Sequence, residues 1–241
     1  MADETEHRTE SDPSVSAHLD RFGLLLCVTV VTVVLLSLVD LSERYEQVWA
    51  RFGALVVTAL VSATFLLALR AAGVARRWRL FADVFVGVGL VASILLFVLG
   101  AVDSSSIDES RGGAPSLLFV LLAVLAPVAI VRRLLAHRSV TRATLLGAIA
   151  AYLLIALAAD LVFLAVDSIS PTPFFGSPEP TTSFMYFSLI TVTTLGYGDL
   201  APVPEVGRLL AATEAIVGQV FLVTFVAMIV GLFVQSRETG R

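Results

Sequence analysis

Six long apolar stretches separated by short polar segments dominate the chain from Phe22 onward. Phe22–Val39, Phe52–Leu69, Val84–Val102 and Gly112–Val131 carry no charged residue. Ala143–Ala159 continues past Asp160 to Val166, and Leu209–Gln235 is interrupted only by Glu214. A helix needs about 20 residues to cross the hydrocarbon core of a bilayer. Backbone groups in lipid must bond internally, so runs of this length are expected as helices. The pattern predicts an all-α integral membrane protein with six transmembrane helices. Residues 1–20 are polar and rich in Asp, Glu, Ser and Thr, and are expected as a disordered tail. They lack the cationic start and small-residue cleavage site of a secretion signal, so the first apolar run is expected to remain as a span.

A shorter segment lies between the last two spans. Pro178-Glu179-Pro180-Thr181-Thr182-Ser183 leads into Phe184–Thr193. Prolines followed by Thr and Ser mark a helix start. About three turns fit before the first glycine, too few to span. The segment reads as a re-entrant helix that enters from outside and stops midway. Thr194-Leu195-Gly196-Tyr197-Gly198-Asp199 follows. Removing water from a cation requires protein oxygens in its place, and carbonyls supply them only if successive ones point the same way. An ordinary strand alternates its carbonyls. Alternating backbone handedness realigns them, and Gly196 and Gly198 tolerate positive φ at little cost. The plain alternative, a Gly-Tyr-Gly loop turn, accounts for neither the short helix nor the two flanking spans.

From Tyr186-Phe187-Ser188 through Asp199, flanked by an outer and an inner helix, the sequence resembles the pore-loop family of potassium channels. The resemblance covers roughly Ala143 to Gln235, and is to the prokaryotic six-span type without a charged voltage sensor. The first four spans match in number and topology only. The resemblance implies that carbonyls of Thr194, Leu195, Gly196 and Tyr197, with the Thr194 hydroxyl, form the K+ sites; this is the family's known mechanism. It implies Gly198 as the end of the selectivity filter, Asp199 at the outer mouth, and Tyr197 bracing the loop, with Tyr186 as filter support. The end of the re-entrant helix would favour a cation through its partial negative charge. Gly218 matches the inner-helix glycine where such channels bend; close helix packing is the other reading of a glycine there. Leu195 replaces the commoner Val, which bears on conductance and inactivation. One chain supplies one filter strand, so a homotetrameric pore is implied, with K+ as the transported ion and no cofactor.

Charge sets the orientation. All 16 basic residues are Arg. With both termini cytoplasmic, Arg8, Arg21, Arg70, Arg76, Arg77, Arg79, Arg132, Arg133, Arg138, Arg142, Arg237 and Arg241 lie inside, and Arg44, Arg51, Arg111 and Arg208 outside. Positive residues favour the inside, so this orientation is expected, in the cell membrane. It puts the filter segment outside, independently of the motif. The expected organisation is a cytoplasmic tail (1–20), a four-helix membrane domain (21–136) and a pore domain (137–241). The fourth span carries no Arg before Arg132 and Arg133. A charge crossing the field is worth about 2.3 kcal/mol per 100 mV, so weak voltage dependence is expected.

Composition removes other classes. The chain is 57% hydrophobic and 15% charged, which places it outside soluble globular proteins. Absence of Asn leaves no N-glycosylation acceptor, and absence of Lys reads as a GC-rich prokaryotic genome. Cys27 stands alone in an apolar run and reads as a packing residue. His7, His18 and His137 have no metal-ligand spacing. Neither an enzyme nor a nucleic-acid partner is expected; the partners are lipid, K+ and further copies of the chain.

Some residues carry secondary expectations. Asp160 and Glu214 interrupt apolar helix at similar depth, about 9–10 Å from the outer ends of their spans. They are expected as filter support, coupling external pH to filter stability. The alternative is that each meets a separate backbone group, or Arg208. Leu222, Val226 and Val230 repeat every fourth residue and line either the cavity or lipid. The Arg70, Arg76, Arg77 and Arg79 cluster fixes topology or touches anionic headgroups, with Asp83 a partner for Arg79. Only six residues follow Gln235, so gating is expected from the membrane domain or another protein. The rival functions are a potassium-uptake transporter subunit, which carries four unlike filter repeats in one chain, and a non-conducting membrane sensor or assembly protein.

Overall fold

The computed structural model describes residues 13–38, 47–73, 76–77, 80–84, 86–89, 91, 95, 117–135 and 142–239. Its helices are α1 (Pro13–Leu38), α2 (Gln47–Ala71), α3 (Leu117–Leu135), α4 (Arg142–Ile169), α5 (Thr181–Val192) and α6 (Glu205–Thr239). Residues 80–84 and 86–89 are also helical. No strand occurs among the described residues. Thr144–Ile169 and Glu205–Phe225 are long and apolar enough to cross a membrane.

The helices follow from the charge-free runs, but their ends differ from the expected ones. α1 begins at Pro13, inside the segment expected as a tail. Proline suits the first turn because its fixed φ matches the helix and its missing N–H would be unpaired there. α4 and α6 extend beyond the apolar runs at both ends, since polar residues propagate a helix already nucleated. α3 carries Arg132 and Arg133 in its last turn.

α4 is the hub: α1, α3, α5 and α6 all pack against it. Its sequence explains this. Ala148, Ala150, Ala151, Ala156 and Ala158 are buried, and small side chains let helix backbones approach closely where lipid offers no hydrophobic drive. Gly147 takes this furthest, because the Phe22 ring of α1 lies against it. One apolar cluster joins Leu25 of α1, Phe65 of α2, Ile130 of α3, Leu154 of α4 and Met185 of α5. It runs across the boundary expected near residue 136. Thr32 and Thr64 add an interhelical hydroxyl contact of 2.9 Å between α1 and α2.

On the surface, one expected ion pair falls outside the described residues and one burial expectation changes. Asp83 pairs with Arg70 at 3.1 Å; Arg79 lies outside the described residues. Cys27 is exposed on α1, because it falls on the face turned from α4.

The closeness of Phe22 to Gly147 gives a test. A β-carbon at Gly147 would stand 2.8 Å from a ring carbon of Phe22, whereas one at Gly23 meets its nearest neighbour at 3.9 Å. Gly147→Ala is expected to destabilise by about 1–3 kcal/mol through overpacking. Gly23→Ala should be neutral or slightly stabilising through helix propensity. Thermal unfolding of both variants in detergent checks the contrast.

Candidate functional site

α5 ends in a backbone cap whose donors are the first residues of the segment expected as the filter. Thr193 closes the helix with φ −81°. Thr194 N–H donates to the Thr191 carbonyl at 3.0 Å, and Leu195 N–H donates to Ile190 at 2.8 Å. This pair of bonds is a Schellman motif, which requires a left-handed residue between them. That residue is Thr194, with φ 60°. Glycine is the usual occupant. A β-branched residue there is an outlier costing on the order of 1–3 kcal/mol.

The left-handed conformation then recurs at every second residue. Gly196 has φ 49° and Gly198 φ 79°, while Leu195 and Tyr197 keep negative φ. This is the alternation that turns successive carbonyls to one side. The sequence pointed to the two glycines; it gave no sign that Thr194 begins the series. Among the described residues no donor reaches the carbonyls of Thr194, Leu195, Gly196 or Tyr197. A β-carbon on Gly196 or Gly198 would meet nothing within 4 Å, so this strand borders open space in a single chain. Thr194 through Asp199 are all exposed.

The outer end is held by Tyr186 of α5, whose hydroxyl donates to Asp199 Oδ2 at 2.8 Å. Tyr186 also interacts electrostatically with Tyr197, and its hydrogen bond goes to Asp199, because a carboxylate is the stronger acceptor. Tyr197 remains two-thirds exposed (67%). Phe184 and Phe187 of α5, Phe163 of α4, and Phe174 and Phe175 of the intervening loop form an aromatic cluster with ring centroids 4.9–6.2 Å apart. Phe174 N–H donates to Asp167 Oδ1 at 2.7 Å, and its carbonyl accepts from Val203 N–H at 2.8 Å. These bonds tie the loops before and after the filter to each other and to α4.

Midway along α5, Ser188 joins three helices. Its Oγ is 2.7 Å from the Ala156 carbonyl of α4 and 2.5 Å from Glu214 Oε1 of α6. A serine hydroxyl carries one proton, so a proton on Glu214 would complete both contacts. Asp160, one helical turn beyond Ala156, is fully buried, and it interacts electrostatically with Glu214. Among the described residues Asp160 Oδ1 and Oδ2 and Glu214 Oε2 have no hydrogen-bond partner. The structure thus brings Asp160 and Glu214 together behind α5. Arg208 is not their partner; its Nε donates to the Pro202 carbonyl at 3.0 Å. Ser188 was missed in the sequence, where one serine in an apolar helix carries no signal of its own.

α6 runs unbroken through Gly218. A β-carbon there would stand 2.7 Å from Val192 Cγ2 and 2.8 Å from the Val192 carbonyl oxygen, so glycine lets α6 meet the end of α5. Of the two readings of Gly218, close packing is the one its contacts display. Gly207, Ala211, Glu214 and Gly218 form the buried stripe of α6. Leu222 is exposed. Val226 and Val230 continue its helical row, but their side chains lie outside the described residues.

The Ser188 junction is testable. Ser188→Ala leaves the buried Glu214 Oε1 without its donor and removes the second bond to the Ala156 carbonyl, and should cost about 1–3 kcal/mol of stability. Glu214→Gln keeps an acceptor and supplies a donor, so it should unfold near the wild-type temperature. Thermal melts of the two variants in detergent distinguish these outcomes.

Residues 145–235 match the Ion_trans_2 family, described as an ion channel. Two pore potassium channel b of Oryza sativa subsp. japonica is 33% identical over 88 residues, covering 36% of this chain and 24% of that protein. Two pore potassium channel a of the same organism is 35% identical over 54 residues, covering 22% of this chain and 16% of that protein. The chain therefore matches a quarter or less of the length of these relatives. No solved structure matches. The ion-channel match takes in nearly all of α4, all of α5, the filter strand and α6 as far as Gln235.

Proposed function

We propose that four copies of this chain form a potassium-selective channel that passes K+ down its electrochemical gradient. The observation that carries the reading is the extended segment from Thr194 to Gly198, with left-handed backbone at every second residue and carbonyls from Thr194 to Tyr197 that meet no donor among the described residues. Carbonyls left free at membrane depth are costly unless they line a cavity or meet a cation. Four such strands around one axis would form rings of oxygen that replace the hydration shell of K+.

The same geometry asks for partners. A single strand surrounds nothing, and α6 exposes Val206, Leu209, Ile216, Val217, Val220, Leu222 and Val223. A closed fourfold assembly covers the filter side of every copy by one repeated interface. In this reading residues 137–241 are the pore domain and residues 21–136 the surrounding membrane domain. Both termini are cytoplasmic, and the protein sits in the cell membrane. Asp199 rings the outer mouth and concentrates cations. Asp160, Glu214 and Tyr186 support the filter from behind and above, and Leu222, Val226 and Val230 face the inner cavity.

The matches to an ion-channel family and to plant proteins named as potassium channels support this reading. The experiment is a bilayer recording of purified protein under opposed K+ and Na+ gradients. Reversal should follow the K+ gradient; a wild-type reversal near zero would refute the reading. Gly196→Ala should abolish selective current, because a β-carbon at positive φ costs about 1–2 kcal/mol in each of the four strands.

A further inference from the structure

Tyr152 lies on α4, far from the filter in sequence, yet its hydroxyl donates to the carbonyl of Val192 at 2.8 Å. Val192 is the last residue of α5. α6 closes the other side of that peptide, since the same carbonyl oxygen stands 2.8 Å from where a Gly218 β-carbon would be. The Tyr152 ring stacks on Phe221 of α6, with centroids 5.9 Å apart and planes at 22°. Phe221 in turn stacks on Phe225 at 5.8 Å and 7°. One peptide at the end of α5 is therefore fixed by two other helices.

The carbonyls of the last turn show why this peptide matters. Leu189 accepts from Thr193 N–H, Ile190 from Leu195 and Gly196, and Thr191 from Thr194. Among the described residues no backbone N–H reaches the Val192 carbonyl. An unpartnered carbonyl at a helix end turns toward water or a cation, which in the channel reading lies along the filter axis. Tyr152 draws it toward α4 instead. The carbonyls after Val192, beginning with that of Thr193, which also has no donor among the described residues, are then the first that can face an ion. Thr194, held left-handed at a cost, follows two residues later.

We propose that Tyr152 is a positioning residue for the filter: with Gly218 behind the peptide, its hydroxyl holds the Val192 carbonyl off the pore axis and so fixes the end of α5 from which the chain leads through Thr193 into the ion-facing series. The inference rests on the potassium-channel reading above. Phenol suits the task because ring stacking on Phe221 sets the direction of the hydroxyl. A shorter hydroxyl side chain on α4 lacks both the reach and the ring.

Tyr152→Phe keeps the ring and its stack and removes only the donor. Wild type and variant are reconstituted and compared in K+/Na+ permeability ratio, in assembly by native mass spectrometry, and in the rise of melting temperature when K+ replaces Na+. Ion binding to the folded state alone raises stability by mass action, so that rise reports filter occupancy without current. The variant should assemble as wild type but lose about two- to tenfold in permeability ratio, the range expected for one hydrogen bond, together with part of the K+-dependent rise. A ratio within about twofold of wild type and an unchanged rise would overturn the inference. If Tyr152→Phe fails to assemble alone, it is placed in one subunit of a concatenated tetramer. A graded fall in the ratio then supports the proposal and an unchanged ratio overturns it. Phe221→Leu separates packing from hydrogen bonding: equal losses in both variants would assign the effect to the stack and overturn the role of the hydroxyl. A wild-type protein without K+ selectivity would refute the channel reading itself, an outcome distinct from all of these.

Discussion

Backbone carbonyls in a membrane are obligatory acceptors, and the end of α5 decides which of them are used inside the chain and which are left open. Those of Leu189, Ile190 and Thr191 are taken by the N–H groups of residues 193–196, and that of Val192 by Tyr152. The donors are consumed in making the cap. The carbonyls from Thr194 to Tyr197 therefore emerge with no donor opposite them among the described residues. The left-handed residue demanded by the cap is also the first step of the alternation that orients those carbonyls. Helix termination and the oxygen-lined strand are one piece of backbone geometry.

The remaining helices hold that piece in place. The alanine-rich surface of α4 lets α1, α3, α5 and α6 approach together. Three contacts then fix α5 along its length: Tyr186 to Asp199 at the outer mouth, Ser188 to Ala156 and Glu214 in the middle, and Val192 to Tyr152 and Gly218 at the inner end. The Ser188 and Val192 contacts use polar groups inside an apolar surround, where a satisfied hydrogen bond specifies geometry and an unsatisfied one is costly. Loss of one contact should tilt or shift α5 rather than unfold it, because the apolar clusters on both of its faces remain.

Much of this was legible in the sequence, for identifiable reasons. Runs without charge announce helices whatever their neighbours, and Pro180 before Thr181 with Gly196 beyond Val192 bracketed α5 closely. Asp160 and Glu214 stood out because acids are rare in such runs. Helix ends were less legible: Pro13–Asp20 is helical although polar. The support of the filter was hidden more deeply. A Schellman cap is usually announced by glycine, and here threonine fills the position under tertiary constraint. Tyr152 and Ser188 look ordinary in their helices; only the packing of α4, α5 and α6 gives each its partner. The same limit hid the pairing of Asp83 with Arg70, thirteen residues away.

The central claim is that the end of α5 leaves one aligned series of carbonyls beginning at Thr194. An experimental structure of the assembled protein in K+ at a resolution that places carbonyl oxygens tests it most directly. The account predicts four chains around one axis, the oxygens of Thr194, Leu195, Gly196 and Tyr197 facing that axis with ions between them, and the Val192 oxygen turned away toward Tyr152. Carbonyls alternating in direction along residues 194–197, or a Val192 oxygen facing the axis, would contradict it.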